Sequence, residues 1–476
     1  NDIIHPTGKL VDSYEFGGYT ARIFRKKSGL EYNFDFSLDF LSKYKDIHSL
    51  ITKAKKRMLQ KNIDKILKFN GVLELLYEAL REEKLERKTD EKNQSLLLPL
   101  LFHMIGLKKI GPLLLDPNID EIYHVPRVSK IYIDHSRWGR CKTSLKLDKK
   151  EINALINRVK IENELTLNRF NPSLKGEIKS PFFHIRISLD IPPLSIEGVS
   201  FNIRKLRKNC FPLYELCLNK TLDFETAAFL IFSLACGANI TVFGPPSSGK
   251  TTLATAVMDY LPFNWRLISI EDVIETFSDY PLNQIKFKVD PYEKEVKNKS
   301  KEAEVIKLLH RSPDYLNLGE ISTADHSKAF FQSLASGIPS LQTVHGRDIE
   351  GLLLRFEEVF KIPKRLIQFS APHVLVHMDS IWIGTKKIRR VVNIYEVSTI
   401  DNTEGNLNIE RLAYYDPKLE KMIINKAFSN SQVFLHFVQQ RGVSIEYCVN
   451  GYKLLFQRFL SLKNKTFDTT FLLGNY

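Results

Sequence analysis

The chain is 476 residues long, 43% hydrophobic and 26% charged, an ordinary composition for a soluble protein with room for two or three separately cored domains. Five scattered cysteines, Cys141, Cys210, Cys217, Cys236 and Cys448, include no Cys-x-x-Cys pair, so neither a disulfide framework nor a zinc site is indicated and a reducing, cytoplasmic setting is expected. A formal net charge of +14 favours acidic partners, but it does not choose among phospholipid headgroups, nucleic acid and acidic protein.

No signal peptide opens the sequence, and its first residue is Asn1 rather than Met, so the true start is expected upstream. Alternation in Tyr14-Glu15-Phe16 and Glu31 to Phe36 predicts short strands in a small N-terminal appendage. From Leu41 to Lys88 the apolar spacing turns helical, which makes 1–90 a strand and helix adaptor. The apolar run Leu96 to Leu107 contains His103 and has only about twelve residues, against the roughly twenty a bilayer demands, so it reads as buried core. Residues 91–208 mix strands (Glu121 to Val125, Lys130 to Asp134, Phe183 to Ile187, Gly198 to Arg204) with a helix over Lys149 to Ile161, an α+β domain. A linker over 209–221 leads into 222–400. There strands at Ile240 to Phe243, Arg266 to Ile270, Tyr315 to Leu318, Ser340 to Val344, Val374 to Met378, Ile381 to Thr385 and Arg389 to Val397 alternate with helices, as an α/β sheet flanked by helices requires. Residues 401–476 read as a helical tail, with helices around Ser431 to Gln439 and Ser444 to Leu462.

The strand Ile240 to Phe243 runs into Gly244-Pro245-Pro246-Ser247-Ser248-Gly249-Lys250-Thr251, a full match to G-x-x-x-x-G-K-[ST], followed by Thr252 and a good helix former. Successive backbone N–H groups at a helix start answer the anionic oxygens of a nucleoside triphosphate. Two glycines let the backbone turn and approach closely. Lys250 can bridge the β- and γ-phosphates, and the Thr251 hydroxyl can join a Mg²⁺ shell.

Hydrolysis also needs carboxylates to orient water and to hold the metal through its water shell. Two candidates end apolar strands: Glu271 in Ile268-Ser269-Ile270-Glu271-Asp272, and Glu320 in Tyr315-Leu316-Asn317-Leu318-Gly319-Glu320. His345 follows a third strand and can sense a γ-phosphate, although a lone histidine more often serves structure.

The order of the phosphate loop, Ser269 to Asp272, Pro313-Asp314 to Gly319-Glu320, and Thr343-Val344-His345 resembles the type II/type IV secretion ATPase superfamily. The likeness extends over roughly residues 95–476. It takes in Gly111-Pro112 to Ile122, Arg186 ahead of Pro192-Pro193, and Ser200-Phe201-Asn202-Ile203-Arg204-Lys205, and the tail is similar to the archaeal pilus and archaellum branch. The resemblance implies a RecA-like P-loop motor domain of mostly parallel sheet behind a PAS-like α+β domain, assembled as a homohexameric ring. It implies ATP and Mg²⁺ as cofactors, with Gly244 to Thr252 around the nucleotide and Thr251, Glu271 and Glu320 around the metal. Glu320 would polarise water, Glu271 would support the metal and water network, His345 would assist, and Arg186 and Arg204 would reach the γ-phosphate. The implied partners are a polytopic inner-membrane platform protein and a pilin-like filament system, reached by peripheral association with the cell membrane from the cytoplasm.

The sequence departs from that pattern at Leu309-His310-Arg311-Ser312-Pro313-Asp314, at Ser322 after Gly319-Glu320-Ile321, and at Ile338 after Ser336-Gly337, where basic groups are displaced or lost. Hydrolysis is still expected, because the loop, both acids and His345 are intact. Two other readings stay open: a DNA-transfer motor of the conjugation type, encouraged by the charge, and a regulatory ring member with little turnover. Nucleic acid is not the expected partner, since no nucleic-acid-binding module is recognisable.

Overall fold

The computed structural model describes residues 8–36, 68–82, 98–99, 101–206, 211–272, 274, 283–289, 304–305, 307, 311–370, 373–383, 386–398, 408–463 and 465–473. The chain divides into two units, Asn1–Lys208 and Asn209–Tyr476. Most of the predicted helical stretch 41–88 lies outside the described residues, as do Cys210 and His310.

The first unit is built on a nine-stranded sheet. Its strands are β1 (Lys9–Phe16), β2 (Tyr19–Lys26), β3 (Gly29–Phe36), β4 (Ile119–Val125), β5 (Lys130–His135), β6 (Gly139–Lys146), β7 (Ser173–Lys179), β8 (His184–Asp190) and β9 (Ser200–Leu206), in the order β1-β2-β3-β6-β5-β4-β9-β8-β7. Alternation decides which face is buried: Tyr19, Ala21 and Ile23 of β2 point into the core while their neighbours do not. Gly17 and Gly18, both at positive φ, close the β1–β2 hairpin. The short strands expected in the N-terminal appendage are present, and β3 pairs in parallel with β6 from Leu30 opposite Cys141 to Tyr32 opposite Thr143, so the first three strands extend the same sheet. Helices α1 (Phe69–Glu82), α2 (Gly111–Leu115) and α3 (Lys149–Asn163) belong to the same unit. Helix α3 starts on a capping box in which Asp148 and Glu151 each satisfy the other's backbone N–H. Leu98, Leu101, Phe102, Ile105 and Leu107 are buried in its core, as expected for the short apolar run.

The second unit opens with α4 (Leu213–Leu218) and α5 (Phe224–Ala235). It continues through β10 (Asn239–Gly244), α6 (Lys250–Met258), β11 (Leu267–Glu271), β12 (Gln284–Lys288), β13 (Tyr315–Ile321), α7 (Ala324–Ala335), β14 (Ser340–His345), α8 (Ile349–Leu354), α9 (Lys364–Phe369), β15 (His373–Ile383), β16 (Lys386–Ser398), β17 (Asn408–Asp416), β18 (Lys421–Ile424), α10 (Gln432–Arg441) and α11 (Ile445–Leu462). The sheet order is β12-β11-β13-β14-β10-β15-β16-β17-β18, parallel from β12 to β15 and antiparallel beyond.

Both faces of this sheet are covered. Along β10, Ile240 and Val242 join the apolar cluster that holds α5, α6 and α11, whereas Phe243 joins the one that holds α7 and α8. The strand carrying the phosphate loop is central, and one strand, β14, separates it from acid-bearing β13. This is a RecA-like P-loop core. The tail departs from a purely helical reading, because β17 and β18 add two antiparallel strands before α10 and α11. Leu412 and Ala413 of β17 bury against the sheet edge, which a helical tail would leave open. Phe428 then stacks on Phe229 at 4.2 Å and Phe434 on Phe232 at 4.3 Å, fastening the tail over α5.

Candidate active site

Gly244 ends β10 because nothing larger fits. A Cβ built there would lie 2.0 Å from the Met378 carbonyl oxygen of neighbouring β15. Gly249 caps α6 at φ 97° and Ser247 sits at φ 61°, so the loop alternates conformations in the manner that turns successive N–H groups to one side. The Ser248 hydroxyl is buried with no hydrogen-bond partner among the described residues. Buried Lys250 donates to the carbonyls of Gly244 (3.1 Å) and Pro245 (2.9 Å) and lies 3.2 Å from Nδ1 of His345. The loop is backed by Met378 and by Arg389 of β16, whose Nε donates to the Ser247 carbonyl at 2.9 Å.

Strand register brings the predicted residues together at the carboxyl ends of the parallel strands. His345 is the register partner of Gly244, and its Nε2 lies 3.0 Å from Oε1 of Glu320. Glu271 is 1% exposed; Asn317 of β13 reaches its Oε1 at 3.4 Å and the Ser269 hydroxyl at 3.2 Å. Asn317 also accepts from the Gly319 N–H at 3.0 Å, fixing the turn that presents Glu320. The neighbouring Asp272 lies 3.9 Å from His326 Nε2, and the Ser322 hydroxyl is 3.3 Å from Nδ1 of that ring.

Arg186 and Arg204 stand together in the other unit. They are register partners on β8 and β9, flanked by Glu177 opposite Arg186 and Glu121 opposite Arg204. Within the second unit the structure groups Gly244 to Thr252, Glu271, Glu320 and His345, and within the first it sets Arg186 beside Arg204.

Sequence reasoning missed Asn317, Met378 and Arg389. Asn317 had a signal, a polar residue interrupting the apolar run Tyr315 to Leu318. Two buried histidines of β15 flank β10, His377 opposite Phe243 beside the loop and His373 opposite Asn239 at the strand's other end. His377 stacks on Phe243 at 4.7 Å, and burial lowers its pKa; His373, hydrogen-bonded to Thr241 at 2.7 Å, is pushed by burial down to about 3. Both are therefore held as neutral rings.

The donor set fits a magnesium-bound nucleotide. Among the described residues no group of three or more His, Cys, Asp or Glu side chains is placed to hold a metal ion. A divalent cation, if bound here, would take the Thr251 hydroxyl, phosphate oxygens and waters held by Glu271 and Glu320 as its ligands. That suits a cation which keeps several of its waters.

The family described as type II/IV secretion system protein matches residues 114–378. The uncharacterized protein MJ0900 of Methanocaldococcus jannaschii is 26% identical over 315 residues, 65% of this chain and 55% of that one. Protein VirB11 of Rhizobium radiobacter is 29% identical over 181 residues, 37% of this chain and 51% of that one, so the chain spans about half the length of each of these relatives. The ATPase DotB of Legionella pneumophila, a solved structure, aligns over 79% of this chain and 90% of its own at 14% identity, with a TM-score of 0.45.

Proposed function

The chain belongs to the type II/IV secretion system protein family, and from that membership we propose that it is a Mg²⁺-dependent ATP hydrolase whose turnover drives assembly of a type IV pilus-like filament or archaellum, or type II-like secretion. The observation that carries the reading is the contact path from Lys250 through His345 to Glu320 beside a complete phosphate loop. The loop amides and Lys250 bind the β- and γ-phosphates. Glu320 accepts a proton from the attacking water, and His345 holds the carboxylate in line. Thr251, Glu271 and Glu320 would hold Mg²⁺ directly or through water, and the ion when bound neutralises charge on the phosphate oxygens.

Arg186 and Arg204 serve the γ-phosphate in this proposal; adjacent guanidinium groups suit charge that spreads over its oxygens in a loose transition state. The working assembly is a homohexamer at the cytoplasmic face of the membrane, acting on a polytopic platform protein and pilin-like subunits. Similarity to a relative from Methanocaldococcus jannaschii supports an archaeal branch of the family. Among the described residues no helix is long and apolar enough to cross a membrane.

Phosphate release by the wild type, Lys250→Ala and Glu320→Gln is the test. Lys250→Ala should lose nucleotide binding, and Glu320→Gln should bind ATP yet hydrolyse it at least a hundredfold more slowly. Hydrolysis at the wild-type rate in either variant would remove the site assignment. A DNA-transfer motor is the second reading, favoured by the net charge of +14. It requires ATPase stimulation by DNA and binding that weakens steeply with salt.

A further inference from the structure

Arg389 and Arg390 are consecutive residues of β16, so their side chains leave opposite faces of the strand. On one face, Arg389 Nε donates to the Ser247 carbonyl at 2.9 Å, and its Cδ and Cβ stand 3.6 and 4.0 Å from where a Cβ on Gly249 would be. On the other, Arg390 is 5% exposed, lies over the Tyr415 ring at 4.7 Å and donates through Nη1 to the Lys220 carbonyl at 2.8 Å. One residue on, the Val391 N–H donates to the Thr221 carbonyl at 2.8 Å.

The two carbonyls that the arginines grip belong to the same kind of residue. Ser247 has φ 61° and Lys220 φ 57°, both left-handed and neither glycine, a conformation that costs free energy and persists only where surroundings hold it. A guanidinium is suited to this because its N–H groups form a rigid fork that keeps a carbonyl in a set direction. The Ser247 carbonyl turned toward Arg389 is a carbonyl turned away from the phosphates, which leaves the loop's amides facing the anion. A β-bulge sits beside this point, where the β15–β16 register shifts between His377 and Met378. Bulges of this kind re-aim side chains next to functional loops.

We propose that β16 is a strut between the phosphate loop and the segment by which the chain enters the second unit. Arg389 is a positioning residue for nucleotide binding, and Arg390 with Val391 ties residues 220–221 to the same strand. The inference rests on the ATP-binding reading of the loop. It assigns to Arg389 a place in that site that the sequence motif does not contain. It also makes the backbone at Lys220 and Thr221 responsive to nucleotide, since a shift of β16 against Ser247 is felt two residues along the strand.

The experiment measures equilibrium binding of a fluorescent ATP analogue, thermal stability and amide hydrogen exchange over 216–224, with Lys250→Ala as reference. Arg389→Ala should weaken binding about tenfold and raise KM more than it lowers kcat. Arg389→Lys should recover less than half of the loss, because an ammonium keeps the charge but not the Nε–H direction. Nucleotide should slow exchange at residues 220–221 in the wild type and fail to do so in Arg390→Met, which keeps a long apolar stem over Tyr415 while removing the hydrogen bond. Wild-type affinity in a folded Arg389→Ala protein that is merely less heat-stable would overturn the positioning role. Undiminished slowing in Arg390→Met would overturn the strut. Should Lys250→Ala lose binding while Arg389→Ala keeps it, this inference alone falls. If Lys250→Ala binds normally, the ATP reading falls and takes the inference with it.

Discussion

The His345 imidazole stands between Lys250 and Glu320, 3.2 Å from the lysine nitrogen and 3.0 Å from the carboxylate. An ammonium has no lone pair to offer, so Nδ1 accepts from Lys250 and Nε2 carries the proton toward Glu320. One tautomer satisfies both neighbours. His345→Ala should therefore slow phosphate release by roughly ten- to a hundredfold, less than the loss of about 10²–10⁴-fold typical of a general base itself, and disturb ATP affinity much less than Lys250→Ala does. Equal losses of affinity in the two variants would place His345 on the nucleotide rather than on Glu320.

How much of this was legible in the sequence follows from how local each feature is. The phosphate loop and the two acid-ended strands are written in contiguous residues, and their strand and helix context is carried by neighbours a few positions away. Pairing of β3 with β6 joins residues about a hundred positions apart, from Leu30 to Cys141, and no local pattern announces a partner at that separation. Arg389 is an ordinary basic residue until β16 folds beside β15 and sets it against Ser247. The tail strands β17 and β18 escaped notice because the helices that follow carry a stronger periodic signal.

Gly319 gives a test of the acid-bearing turn. It sits at φ 58°, and a Cβ there would approach Glu271 Cγ to 3.0 Å. A left-handed alanine costs about 1–2 kcal/mol, and Glu271, buried at the end of β11, has little room to retreat. Gly319→Ala should lower Tm by on the order of 5 °C and reduce phosphate release as well. Loss of stability with full hydrolysis would mean that Glu271 does not support catalysis from this position.

In the first unit, Asp116 is a buried carboxylate held by donors. The hydroxyls of Tyr14 and Tyr32 each donate to Oδ2 at 2.6 Å, the Asn118 N–H donates to Oδ1 at 2.8 Å, and Lys205 donates to the backbone carbonyl. Tyr14 belongs to β1 and Tyr32 to β3, so the N-terminal strands are pinned to the rest of the unit at this point. Tyr32→Phe should cost about 1.5–3 kcal/mol, the range for a hydrogen bond to a charged group. Asp116→Ala should cost more, because the buried Tyr32 hydroxyl and the half-buried Tyr14 hydroxyl both lose this acceptor, Tyr14 keeping His135 Nε2 at 3.1 Å. Denaturant unfolding of the full chain reads both; a neutral Asp116→Ala would dissolve the pin.

Glu396 of β16 is fully buried, and its Oε1 accepts from the Val433 N–H at 3.1 Å, supplying at the start of α10 the cap that the Ser431 side chain does not provide. Burial raises its pKa above the usual carboxylate value near 4.5, and the Gln432 and Val433 amides only partly oppose that. For an acid whose folded pKa is raised, the folded state binds more protons than the unfolded one. The stability it contributes is complete below about 4.5 and drains away as pH climbs through the folded value. Each step of pH from about 4.5 up to the folded value therefore costs the wild type stability that a permanently neutral side chain keeps. Glu396→Gln keeps an oxygen for Val433 and never ionises. Relative to wild type it should gain Tm steadily from pH 4.5 upward and level off once Glu396 is fully charged. Thermal melts of both proteins between pH 4.5 and 8 measure the difference. A gap that stays flat with pH would show that this carboxyl titrates as it would in water, and one that widens toward acid would show a lowered folded pKa; either outcome removes the electrostatic cost of the α10 cap.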